Sequence, residues 1–290
     1  MASLKTIRHR IGSVKNIQKV TRAMKMVAAV RLRRAQLNME QARPYAHRLQ
    51  EVLRDLLPAI DRRLHRLLEV REPVHVGVVV ITGDRGLCGS FNSNILRCAT
   101  AILQDYQDKE IKIICVGRKG RDFFRKQPYP IIGEYTRFWK ELNFGHAISI
   151  VDQITELYLR LDLDKVILIY NEFKNVVRQE VITQPFLPLV LGEEDRELGA
   201  VDYGEFLFEP SQELIVNSLI PRHLNVQMWQ ALLESNAAEQ AARMTAMGAA
   251  TDNASDMLTN LTREYNKARQ ASITKELLDI VGGAEALRNT

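Results

Sequence analysis

A chain of 290 residues, 46% hydrophobic and 26% charged, suits a protein of one or two folded units, and no stretch approaches the apolar length needed to span a bilayer. The formal net charge of +5 is modest and points to an acidic partner only where the charge is concentrated. Cys88, Cys98 and Cys115 form no CxxC pair and the six histidines form no HExxH, so zinc and thioredoxin-like chemistry are not expected; the thiols are expected to be reduced.

The first segment reads as a long amphipathic helix from Leu4 to about Pro58, with a kink expected at Pro44. Ile7, Ile11 and Val14 fall at 4,3 spacing. Ile17 then steps the seam by three, and Thr21, Met24 and Ala28 resume it. The first residues are basic, acid-free and amphipathic, which mimics a mitochondrial transit segment. That reading is set aside because the pattern runs unbroken into the long helix. No Asp or Glu occurs before Glu40, whereas Lys5, Arg8, Arg10, Lys15, Lys19 and Arg22 are followed by Lys25, Arg31, Arg33 and Arg34. A solvated face normally mixes signs. A one-signed face suits nucleic acid, anionic lipid or an acidic protein surface, although a merely soluble basic face remains open. The first aromatic residue is Tyr45, beyond the acid-free stretch, so base stacking from those basic turns is excluded. Met24 and Met26 among the cations favour an adaptable protein contact.

In the middle the period changes. HVGVVVIT (75–82), IKIICV (111–116) and KVILIY (165–170) are β-branched runs of the kind buried on both sheet faces. Helical segments are expected near 93–106 and 147–161, giving a βαβ unit with a parallel sheet. RQEVITQPFLPL adds an edge strand or hairpin. The first strand runs into GDRGLCGSFN, a strand–turn–helix junction that invites a nucleotide-binding reading. It contains neither GK[ST] nor GxGxxG, and Asp84 would repel a phosphate, though Arg85 could offset it. Its glycines are accounted for equally by backbone geometry. No paired acids, Ser/His/Asp grouping or cofactor motif suggests catalysis. The segment 193–210 begins polar and Gly-containing, as a linker would.

From Arg222 to Val281 there is no Pro and one Gly, Gly248. About 60 helical residues would span roughly 90 Å, wider than a compact domain of this size. Ala254, Leu258, Leu261, Tyr265, Ala268 and Ser272 follow a heptad, and the alanines of 237–250 make the helix slender. A buried helix of a large bundle is the alternative. Two long helices at opposite ends of one chain are arranged most economically as an antiparallel pair with the middle inserted between them.

IRHRIGSVKNIQKVTRAMKMVAA, GDRGLCGSFN, AAEQAARMTAMGAATDNA and YNKARQASITKELLDIVGGAEAL together resemble the gamma-subunit family of the F-type ATP synthases, along the whole chain and most specifically at its ends. The resemblance implies a fold of class α/β plus a long antiparallel α-helical coiled coil formed by the N- and C-terminal helices, with a central Rossmann-like βαβ domain. The corresponding segments are an N-terminal shaft helix (1–60), a central domain (74–192), a linker (193–210) and a C-terminal shaft helix (211–290). It implies a rotor without catalytic residues, cofactor or metal. Its partners would be the alpha and beta subunits of the F1 ring, the epsilon subunit and the c-subunit ring of Fo, without nucleic acid. The location would be peripheral, on the cytoplasmic face of a bacterial plasma membrane.

Residue by residue, Met24 and Lys25 match the position that meets the acidic loop of the beta subunit, and Arg269 and Gln270 match the pair that catches a beta-subunit loop. Thr274, Glu276, Leu277, Leu278, Ile280 and Val281 match the bearing at the tip. Phe208 and Glu209 match the foot that faces epsilon and the c ring. Chloroplast members carry an additional redox-sensitive cysteine pair; no cysteine follows Cys115 here, so such thiol regulation is not expected and a bacterial source is. A nucleic-acid-associated coiled-coil protein, binding duplex with a steep salt slope, is the runner-up. A nucleotide-binding α/β enzyme is the third reading.

Overall fold

The computed structural model describes residues 4–56, 65–189 and 211–288. They fall into two compact units, Met1–Val27 with Met244–Thr290, and Ala28–Arg243. The linker expected at 193–210, with Phe208 and Glu209, lies outside the described residues.

The larger unit is built on a five-stranded sheet. Its strands are β1 (His75–Ile81), β2 (Glu110–Val116), β3 (Ile131–Tyr135), β4 (Lys165–Phe173) and β5 (Gln179–Leu187), in the order β3-β2-β1-β4-β5. The first four pair in parallel and β5 closes one edge antiparallel to β4. β1 is central because HVGVVVI can bury both faces, and Val76 to Ile81 are buried. Helices α2 (Phe91–Asp105), α3 (Arg118–Phe124) and α4 (Phe144–Leu159) form the crossovers.

Side chains on one strand alternate between faces. Val79, Ile81, Ile114, Val116, Val166 and Leu168 belong to a core shared with Ile150, Ile154 and Tyr158 of α4. Two long helices join that core. α1 (Leu4–Leu56) contributes Ala46, Leu49 and Leu53 to it, and α5 (Gln212–Arg288) contributes Val216, Ile220, Leu224 and Met228. Tyr158 donates its hydroxyl proton to the Glu69 carbonyl at 2.9 Å, and burial pushes its phenol up to about 12. α1 continues as α-helix through Pro44, and α5 runs 77 residues with Pro221 inside its third turn.

The alanines of α5 have a packing reason. Between Ala231 and Arg243 the helix is enclosed: Ala231, Leu232, Leu233, Ala237, Ala238 and Ala241 are buried, and so are Glu234, Ser235, Glu239 and Gln240. Alanine lets the neighbouring elements approach the helix axis closely.

In the smaller unit the burial period is that of a heptad. Between 252 and 272 only Ala254, Leu258, Leu261, Tyr265, Ala268 and Ser272 are not exposed. On α1 the shielded line is Ile7, Ile11, Val14, Gln18, Thr21 and Met24. This corrects one expectation: Ile17 is 55% exposed, and Gln18 takes its place. The 4,3 spacing from Val14 runs to Gln18, so geometry rather than hydrophobicity selects the residue. Thr251 donates from Oγ1 to Thr21 Oγ1 at 2.8 Å, and both hydroxyls are largely screened from water.

Candidate functional site

The turn GDRGLCGSFN (83–92), the signature turn, follows β1 after Thr82. Thr82 ends the strand, with its N–H on the Val116 carbonyl at 2.7 Å. The Gly83 N–H then donates to Asn92 Oδ1 at 2.9 Å, which ties the start of the turn to the first residues of α2. Asn92 Nδ2 reaches back to Cys88 Sγ at 3.1 Å. Leu87 sits at φ 63, a left-handed conformation in a non-glycine residue that these ties hold in place. The Asp84 carboxylate is turned onto backbone donors, accepting from the Arg118 N–H at 2.9 Å and the Arg137 N–H at 2.8 Å.

What the turn packs on is α5. A Cβ at Gly83 would lie 2.8 Å from the Glu239 carboxylate, so glycine is needed for this close approach. Glu239 pairs with Arg243 one helical turn on at 2.5 Å, and Arg243 also donates to the Gly86 carbonyl at 3.4 Å. Burial pushes the Glu239 carboxyl up and the neighbouring guanidinium opposes that shift. Cys88 is likewise pushed up by burial and by Glu239, which makes it a poor nucleophile. The motif is thus a socket whose glycine and carbonyl groups are engaged by the helix. Sequence reasoning missed Glu239 and Arg243. Their i, i+4 spacing inside an Ala-rich run was the available signal.

Glu234 lies on the same enclosed stretch of α5 and is 3% exposed. Its Oε1 accepts from Gln230 Nε2 at 3.3 Å, while Oε2 has no partner among the described residues. Burial pushes this carboxyl up. A carboxyl raised in the folded state contributes stability that is present below its unfolded pKa and lost as pH rises through the folded one. Glu234→Gln is therefore expected to gain on the order of 1 kcal/mol at pH 8, with the gain shrinking at pH 5. Thermal melts at the two pH values check this; no gain at pH 8 would mean that Oε2 is satisfied.

Met24 is half-buried and Lys25 exposed, with the Lys25 chain lying over Gly248, whose missing Cβ would sit 3.5 Å from Lys25 Nζ. Arg269 and Gln270 are both exposed on α5, as are Thr274 and Glu276. Leu277, Leu278, Ile280 and Val281 are 58 to 68% exposed, an apolar group that no described residue covers. The ten cations of the acid-free segment are all exposed, and none has a carboxylate oxygen within 4 Å among the described residues. Among the described residues no group of three or more His, Cys, Asp or Glu could hold a metal ion, and no helix is long and apolar enough to cross a membrane.

A sheet unit set in the chain between helices of 53 and 77 residues, with a turn that grips the second helix, defines a class of long-helix protein with an inserted α/β unit. The family model described as ATP synthase matches residues 3–287. The ATP synthase gamma chain of Chloroherpeton thalassium is 50% identical over 303 residues, covering all of both chains. That of Chlorobaculum parvum is 48% identical over 294 residues, covering 99% of this chain and all of the relative. Among solved structures, a chain of the Tetrahymena thermophila mitochondrial ATP synthase central stalk and c ring matches with TM-score 0.60 and 28% identity, over 80% of this chain and 99% of that one. A chain of the Euglena gracilis mitochondrial enzyme matches in fold with TM-score 0.69 at 20% identity, over 98% of this chain and 94% of that one. This chain belongs to the gamma-chain family of the F-type ATP synthases, and within it to the bacterial members.

Proposed function

We propose that the chain is the rotating shaft of its complex and performs no bond chemistry itself. Its N- and C-terminal helices pair as an antiparallel coiled coil that turns inside a ring of alpha and beta subunits. Its sheet unit meets epsilon and the c ring, and ion flow through that ring drives the turning. The chain is then held peripherally on the cytoplasmic face of the membrane through the complex.

The observation that carries this reading is the burial line of the smaller unit. Over residues 5–27 of α1 and 252–272 of α5 one heptad stripe is shielded and the remaining positions are exposed. Thr21 contacts Thr251 and Lys25 lies over Gly248, so residue numbers run in opposite directions, the sense of an antiparallel pair. A rod that presents different faces to chemically equivalent subunits stabilises a different conformation in each. Every 1.4 kcal/mol of such difference changes nucleotide affinity about tenfold. Linkage is reciprocal, so nucleotide binding also biases the angle of the rod, and hydrolysis can drive it backwards. The unpaired cations suit this role, since exposed charges attract successive acidic loops without locking to one.

Arg269→Ala tests the catch. Loss of one charge-assisted hydrogen bond is expected to lower coupled ATPase activity of the assembled complex about tenfold, with folding unchanged because the side chain is exposed. Wild-type turnover in the assembled variant would remove Arg269 from the contact. Gentle isolation of the tagged chain tests the whole reading. Alpha, beta and epsilon chains are expected with it, and a solitary chain, or one carrying salt-released nucleic acid, would overturn the shaft.

A further inference from the structure

A cleft of about 650 Å³ opens in the larger unit beside the signature turn, a size common among small-molecule sites. Seven cationic side chains and three carboxylates line it. Two of the three carboxylates are already engaged: Glu239 by Arg243, and Asp84 by the backbone N–H groups of Arg118 and Arg137. The remaining cations are Arg31, Arg34, Arg85, Arg118, Arg137 and Lys140, contributed by α1, the turn, the start of α3 and the loop before α4. None of the six has a carboxylate oxygen within 4 Å among the described residues.

The arrangement is held in place. One carboxylate, that of Asp84, fixes the backbone of both Arg118 and Arg137, and Arg137 is kept at φ 70. A non-glycine residue keeps that conformation only where its surroundings impose it, and here the Asp84 bond does so. Trp139, stacked on Phe138 at 5.0 Å, also lines the cleft, and its indole N–H is buried without an acceptor among the described residues. Cations outnumber carboxylates seven to three in the cleft, and of the three only Glu141 has no ion pair or hydrogen bond to its carboxylate among the described residues. Guanidinium groups match phosphate oxygens in pairs, and an indole N–H donates to the same acceptors.

We propose that this cleft binds a small phosphate-bearing polyanion: inorganic pyrophosphate or the phosphate chain of a nucleotide. The reading is independent of rotation and requires only the larger unit's own geometry.

The test is calorimetric titration of the full chain with pyrophosphate at low and at physiological ionic strength. Saturable one-to-one binding that weakens with salt is expected. Arg34→Ala with Arg118→Ala is expected to weaken it at least tenfold, because each removes a charge-assisted bond, while the exposed side chains, without ion pairs among the described residues, leave the melting temperature unchanged. Lys15→Ala with Lys19→Ala, outside the cleft, is expected to change nothing. A parallel titration with ATP distinguishes the sources: equal affinity assigns recognition to phosphates alone, and tighter binding lost in Trp139→Ala adds a base contact. Three results overturn the proposal: no saturable binding at millimolar pyrophosphate, equal weakening by the two double variants, or displacement of pyrophosphate by a lower concentration of an acidic peptide.

Discussion

Arg243→Ala is expected to destabilise the larger unit by about 3–5 kcal/mol near neutral pH, because it leaves a buried carboxylate without its cation. Arg243 is 8% exposed and Glu239 5%, so the carboxylate left behind is poorly hydrated. Burial already pushes the Glu239 carboxyl up, and removing the guanidinium removes what opposes it. Glu239 then takes up a proton on folding, so the deficit is largest above its folded pKa and shrinks as pH falls towards the ordinary glutamate range. Adding Glu239→Gln to Arg243→Ala is expected to restore most of the loss, since a neutral amide carries no unpaired charge. It does not restore all of it, because the bond from Arg243 to the Gly86 carbonyl is also gone. Denaturant unfolding of the parent, both single variants and the double variant gives the coupling directly. Equal losses in Arg243→Ala and in the double variant would show that the pair is not what secures the turn on α5.

The contrast between this pair and the heptad stripe explains what could be read from the chain. The stripe from Ala254 to Ser272 depends on local period alone, and every one of its members is shielded. The strands at 75–81, 110–116 and 165–173 were legible because β-branched runs of that length have few other uses. β3 was not: IIGEY is five residues, contains Gly133 and is mostly half-buried, so it has neither run nor alternation. α3, RKGRDFF, spans seven residues, too few for a helical period to declare itself. Gln18 was hidden because a polar residue occupies a seam position. Glu239 and Arg243 were hidden for a different reason. Charges on a helix normally mark its wet face, and only the elements folded around α5 from elsewhere in the chain make this face dry. The cleft is the extreme case, since its cations come from segments between Arg31 and Arg243 that only the topology brings together.

Gly117→Ala carries the second large effect, a loss of about 3 kcal/mol or more. Gly117 lies at φ +100, and a Cβ there would fall 2.0 Å from the Thr82 carbonyl oxygen. Backbone is what it meets, so no side-chain rotation can relieve the clash. The surrounding bonds forbid a shift as well: the Gly117 N–H donates to the Tyr135 carbonyl at 2.7 Å, and Thr82 is bound to Val116 at 2.7 Å. Thr82 Oγ1 in turn accepts the Gly120 N–H at 2.8 Å, so moving Thr82 would disturb the start of α3. The residue is a pivot on which the ends of β1, β2 and β3 are aligned, and with them the turn that grips α5. Gly12→Ala supplies the control. Gly12 is an exposed position inside α1, with nothing within 4 Å of an added methyl group, so a gain of about 0.5–1 kcal/mol is expected. Denaturant unfolding of both variants separates loss of strained geometry from loss of glycine as such. A cost below about 1 kcal/mol at Gly117 would mean that the turn re-forms without a left-handed pivot, and the alignment of the three strand ends would then need another cause.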